Sequence, residues 1–185
     1  MFKRILMVTG LLVLLTPFLY SSEKAELITG FEDDADSDSW SADDALEIVA
    51  ENATEGKKSL KVDYVADEEK EKRCTIEGKK FESVFPSDWN GYKSFKVDIF
   101  NASDKEALLQ VRIKSDEQSK KWTKAFKIPG KKSTTLDIPM SDLKTINLET
   151  MTYLGFAMGK NQYLTDMKPL SSDFVLYFDN MRLTK

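Results

Sequence analysis

The side chains best suited to general acid–base or metal chemistry in this 185-residue chain are 31 carboxylates, beside one thiol; there is no histidine. That inventory removes Ser-His-Asp and Cys-His activation, imidazole metal ligands and a histidine pH switch together. Two carboxylates suffice for glycoside hydrolysis, but the pair has to be held across a desolvated pocket. The acids here fall mostly in turns and charge runs such as Asp67-Glu68-Glu69-Lys70-Glu71, which read as solvated. Asp33, Asp34, Asp36 and Asp38 form an acidic loop whose glycine and terminal glutamate are misplaced for an EF-hand. Cys74 stands among alternating strand residues with no histidine to activate it, so it reads as a small buried residue, and a lone cysteine closes no intramolecular disulfide. The reading is a binding protein, not an enzyme.

The elements that would position a binding surface are strands. No helical period is sustained, while short alternating runs recur between turn residues. Ten strands are predicted: 26–32, 45–51, 59–66, 73–81, 94–101, 107–115, 122–128, 132–138, 152–158 and 174–184. Helix is confined to turns at 140–143 and 147–151, opened by Ser141 and Asn147 caps. In the run 107–115, Ala107, Leu109, Val111 and Ile113 face one way and Leu108, Gln110, Arg112 and Lys114 the other, so one side is core and one is wet. Arg73, Thr75 and Glu77 form a second polar row. About ten strands in one domain-sized chain suit an all-β, two-sheet sandwich.

Residues 1–22 are set aside as a signal peptide, because Met1-Phe2-Lys3-Arg4 is a short basic start and residues 5–20 are nearly all apolar. The expectation is export, with a secreted, periplasmic or cell-envelope location, no membrane span after cleavage near Ser21 or Ser22, and a single domain over 23–185. Loss of Lys3 and Arg4 takes the formal charge from −4 to −6. Such an acidic protein is a poor partner for nucleic acid or anionic lipid.

A further set of residues carries a resemblance: Gly30-Phe31-Glu32, Trp40, Glu55-Gly56-Lys57-Lys58-Ser59-Leu60-Lys61-Val62, Asp88-Trp89-Asn90-Gly91-Tyr92, Val97-Asp98-Ile99-Phe100-Asn101, Leu136-Asp137-Ile138-Pro139 and Phe178-Asp179-Asn180-Met181-Arg182-Leu183. In this order and spacing they resemble the galactose-binding-like jelly roll of carbohydrate-binding modules, particularly families 4, 11 and 22. Physical reasoning supports several pieces independently. Gly56 permits the positive φ of a tight turn before an alternating strand, and Trp40, Trp89 and Tyr92 read as core or end-cap aromatics.

The resemblance implies a structural calcium ion, with carboxylates from Glu32 and Asp179 and a backbone carbonyl from Lys57 in the adjacent loop. It also implies a carbohydrate ligand on one concave sheet face, assigned here to Gln110, Arg112 and Lys114 with Trp122 stacking at the mouth of the cleft. Two alternatives stand beside it. One is an envelope-associated structural or protein-binding module; the other is an assembly factor resembling the complex I intermediate-associated protein 30 family, whose mitochondrial presequence would differ from the apolar start seen here.

Overall fold

The computed structural model describes residues 24–116, 120–161, 164 and 166–185; the expected signal peptide lies outside them. Among the described residues the strands are β1 (Ala25–Thr29), β2 (Ser41–Ala42), β3 (Leu46–Val49), β4 (Ser59–Tyr64), β5 (Lys72–Glu77), β6 (Ser94–Asn101), β7 (Ala107–Ser115), β8 (Lys121–Ile128), β9 (Lys132–Pro139), β10 (Met151–Met158) and β11 (Phe174–Thr184), with one short α-helix, α1 (Gly78–Val84), and two 3-10 segments at Asp34–Ser39 and Met140–Leu143. They build two antiparallel sheets, ordered β3-β4-β11-β6-β9, with β1 also on β11, and β2-β5-β10-β7-β8. This is the two-sheet jelly-roll sandwich expected from the strand pattern.

Alternation dictates which residues fill the space between the sheets. Ala107, Leu109, Val111 and Ile113 of β7 are fully buried, as are Phe95, Val97 and Ile99 of β6. A train of aromatic contacts crosses the core: Trp40 stacks on Phe156 at 6.1 Å and Phe156 meets Phe178 at 4.6 Å. Trp89 is fully buried against Phe95 and donates its Nε1–H to the Pro86 carbonyl, so its polar atom is satisfied.

Three local readings differ from the strand forecast. The predicted run 73–81 stops at Glu77, because Gly78 takes φ +57° and α1 follows, with Phe81 stacked on Phe85 at 4.9 Å. The turn at Met140–Leu143 forms, but its N-terminal neighbour is Pro139 and no side chain caps it. Asn147 caps no helix; its side chain accepts from the Glu149 N–H in a local turn.

β11 is the axis of its sheet and exchanges partners along one edge. Its first half, Phe174–Phe178, pairs with β4, while Met181–Thr184 pair with β1. Between the halves the register with β6 shifts between Asp179 and Arg182, and Asn180 adopts φ +49°. The carboxylate of Asp179 sits at that gap.

Candidate functional site

The outer face of the second sheet is set by register. On β10 the outward residues are Tyr153, Gly155 and Ala157. They lie opposite Glu77, Thr75 and Arg73 of β5 on one side and Lys114, Arg112 and Gln110 of β7 on the other. Beyond β7, Lys114 meets Lys121, Arg112 meets Thr123 and Gln110 meets Ala125 of β8. The two polar rows read from the sequence, 73/75/77 and 110/112/114, therefore flank one strand of small residues.

Gly155 and Ala157 leave room along that strand, and the Tyr153 ring folds into it. A Cβ on Gly155 would stand 2.5 Å from Tyr153 Oη. Burial pushes the Tyr153 phenol up, with the neighbouring Arg112 guanidinium opposing the shift. Lys114 covers the ring, its Nζ 4.0 Å from the centroid.

Arg112 is the hub. Its Nη2 donates to Glu71 Oε1 at 3.0 Å, and Asn161 Nδ2 donates to the same oxygen at 3.0 Å. With its amide oriented to satisfy its neighbours, the Gln110 oxygen accepts from Arg112 Nη2 at 2.6 Å and Nε at 3.3 Å. Gln110 is consequently fully buried, although it belongs to the outward row. Next to Arg112, Thr123 Oγ1 is a buried hydroxyl without a hydrogen-bond partner among the described residues.

Two hollows lie at the ends of the β7 row. An open depression of about 480 Å³ borders Lys114, Tyr153 and Glu77. A larger cleft of about 890 Å³ lies beyond Leu108, bounded by Ala125, Phe126, Met158 and residues 166–171.

Trp122 does not share this face. It pairs with Ile113, and directly opposed antiparallel residues point the same way, so Trp122 is turned to the core side of β8 beside Phe126, centroids 6.4 Å apart. The expectation that Trp122 stands beside Arg112 and Lys114 fails because the register puts Lys121 and Thr123 of β8 in that row. The aromatic on the outer face is Tyr153, which the small-residue alternation Tyr153, Gly155, Ala157 could have signalled. Glu71 and Asn161 had no local signal, since they reach Arg112 from distant segments.

The calcium residues do come together around one loop, but not as a cage. Asp179 Oδ2 accepts from the Thr54 and Glu55 N–H groups at 2.5 and 2.7 Å and from Thr54 Oγ1 at 3.0 Å, while Oδ1 accepts from the Asn180 N–H. Glu32 Oε1 accepts from the Lys57 and Lys58 N–H groups at 2.7 and 3.0 Å, and these bonds hold its carboxyl below the usual range. Lys57 thus presents its N–H, not its carbonyl, to Glu32. Among the described residues no three acidic or cysteine side chains converge as a metal site. Arranged this way, Glu32 and Asp179 latch the 54–58 loop through its N–H groups.

No protein-family model matches the sequence, and no curated protein matches it. Solved structures do. A family 11 carbohydrate-binding module from Clostridium thermocellum, in complex with a beta-1,3-1,4-mixed-linked tetrasaccharide, superposes with TM-score 0.61 at 15% identity, over 86% of this chain and 94% of that one. The CBM22-1 xylan-binding domain from Paenibacillus barcinonensis gives TM-score 0.53 at 12% identity, covering 89% and 97%. An exo-beta-agarase gives TM-score 0.65 at 14% identity, over 85% of this chain but 24% of the agarase. At these identities the likeness is one of architecture, and it agrees with the sandwich built above: the chain has the jelly-roll fold shared by carbohydrate-binding modules of families 11 and 22.

Proposed function

We propose that this chain is an exported, non-catalytic protein that holds a carbohydrate across the outer face of the β5–β10–β7–β8 sheet. The observation that carries the reading is the pair of open hollows at the ends of the β7 row, one bordered by Lys114, Tyr153 and Glu77 and one beyond Leu108. Between them Arg112, Glu71, Gln110 and Asn161 hold one another in a hydrogen-bonded network, so the face between the hollows is fixed before a sugar arrives. Neighbours of the same fold include a module holding a tetrasaccharide and a xylan-binding domain.

The chemistry of the side chains favours binding over turnover. Burial pushes the Cys74 thiol well up, away from a nucleophilic thiolate. The carboxyls of Glu32 and Asp67 are held low by backbone N–H bonds, the opposite of what a general acid needs. Export rests on the basic and then apolar start of the sequence. Among the described residues no helix is long and apolar enough to cross a membrane.

Pull-down on insoluble polysaccharides together with a glycan array tests the reading, comparing wild type with Arg112→Ala. Binding by wild type that is lost in a variant still melting cooperatively supports it. Wild type that binds no glycan while enriching one envelope protein would replace it with the protein-binding alternative.

A further inference from the structure

The larger cleft, beyond Leu108, differs in chemistry from the hydrogen-bonded face it adjoins. Its floor is the margin of the core: Met158, Leu170 and Phe174 are buried members of the main hydrophobic cluster, and Met167 is buried beside them. Half-buried Leu108 and Phe126 extend the same apolar surface from β7 and β8. The charged and hydroxyl side chains that line the cleft, Glu106, Lys127, Asp166, Lys168 and Ser171, are all exposed and form its rim. Two of them already satisfy each other, Lys127 Nζ lying 3.1 Å from Glu106 Oε1. An apolar floor within a polar rim is the usual makeup of a ligand pocket, and a volume of about 890 Å³ lies in the range that takes a drug-sized molecule.

The cleft is held open by backbone contacts. Asp67 and Leu170 exchange N–H to carbonyl bonds at 2.9 and 3.2 Å, which pins the end of the 166–171 wall, and Lys105 Nζ donates to Ser172 Oγ at 2.8 Å just beyond it. The chain turns beside the cleft at Gly159, φ +99°, where a Cβ would stand 3.0 Å from the Lys70 carbonyl oxygen. Register joins the cleft to the outer face: Leu108 lies opposite Lys127 and, one step along the outward row, Gln110 lies opposite Ala125. A polymer lying over that row reaches the cleft with whatever substituents it carries.

A sugar hydroxyl pressed onto this floor would give up its hydrogen bonds to water and meet no strong side-chain partner in return. An apolar substituent gains there what a hydroxyl loses. We infer that the larger cleft receives ester-linked acyl groups, so that the ligand is an O-acylated polysaccharide in preference to its unsubstituted backbone. This rests on the carbohydrate-binding reading and names its substrate class. An ester carbonyl at the rim also has an ammonium donor in Lys168, and an acylated disaccharide has the bulk that the cleft admits.

The test uses the full mature chain in affinity electrophoresis and calorimetry against acetylated xylan, acetylated glucomannan and the same two polymers after mild saponification, which removes the acetyl groups and leaves the backbone. At least one acetylated polymer is expected to be retained several-fold more strongly than its saponified form. That preference should change little between 50 and 500 mM NaCl, since the added contact is apolar, and the heat capacity of binding should be more negative for the acetylated form. Leu108→Gln, at a half-buried outward position, should erase the difference between the two forms while the variant still melts cooperatively, and Leu108→Met should keep it. Equal retention of both forms by wild type would overturn this inference and leave the carbohydrate reading standing, as would an acetyl preference that survives Leu108→Gln. Octyl glucoside bound below its micelle concentration, with neither acetylated polymer preferred, would overturn it in favour of a free amphiphile. Retention by no polysaccharide in either form would remove the carbohydrate reading itself.

Discussion

Arg112 and Glu71 form a 3.0 Å ion pair in which the two side chains retain 12% and 20% of their exposure. Pairs this enclosed are costly to break from one side, because the remaining charge keeps its desolvation without its partner. Glu71→Gln is expected to lower unfolding free energy by about 1–3 kcal/mol. Urea denaturation measures that loss, and an unchanged midpoint would mean that the pair is solvated.

Asp179 receives two N–H groups and a hydroxyl from Thr54 and Glu55, tying the loop between β3 and β4 to the point where β11 changes partners. Asp179→Ala removes the acceptor for all of them and should cost about 2–4 kcal/mol. Because the latch consists of hydrogen bonds, the melting temperature of wild type should be the same in millimolar calcium and in chelator. A calcium-dependent rise lost in Asp179→Ala would require Glu32 and Asp179 to turn from their N–H donors to a metal, and would restore the cation implied by the family resemblance.

Burial pushes Asp98 toward its protonated form, but hydrogen bonds from Thr135 and Asn180 and the Arg182 guanidinium outweigh it, and its carboxyl is held below the ordinary 3.8. The folded state therefore binds this proton less readily than the unfolded chain does. Its contribution is complete above the unfolded value and is lost as pH falls from about 4 through the lower folded value. Melting temperatures at pH 6 and pH 3 should differ by less in Asp98→Asn than in wild type, once the part shared with Glu32 and Asp67 is common to both.

Gly155 keeps open the space that the Tyr153 ring occupies, and Gly155→Ala places a methyl 2.5 Å from the phenol oxygen. The ring end can swing outward, so the fold should persist with a stability change of about 1 kcal/mol or less. The near-ultraviolet tyrosine signal and the glycan retention should both change. Unaltered retention would take Tyr153 out of the binding surface.

Trp122 belongs to the core side of an edge strand, half-buried beside Phe126. Trp122→Ala should lower stability by about 1–3 kcal/mol, less than truncation of a fully buried tryptophan. Its glycan retention, measured below the melting transition, should match wild type. Selective loss of binding would return this side chain to the ligand face.

What the sequence discloses here is what depends on neighbours along the chain. The faces of β6 and β7 follow from strict alternation, and Trp40 and Trp89 are buried as aromatic residues beside turns tend to be. The face of Trp122 depends on the register of β8 against β7, which pairs it with Ile113 and which a count of alternation within one strand cannot fix. The burial of Gln110 depends on Glu71 and Asn161, side chains 39 and 51 positions away in sequence that close over Arg112. The α1 helix was hidden because Gly78, with φ +57°, ends β5 inside a run whose alternation continues.

The central position of β11 also sets an order of events. It is the last strand of the chain, yet it is the one that β4, β6 and β1 all pair with. Until residues 174–184 leave the ribosome, β4 and β6 have no common partner and their edges stay open, whereas β5, β7, β8 and β10 are already complete by residue 158. Contacts this distant in sequence slow folding, and a nascent chain with one sheet formed and the other waiting offers a site for a holding chaperone.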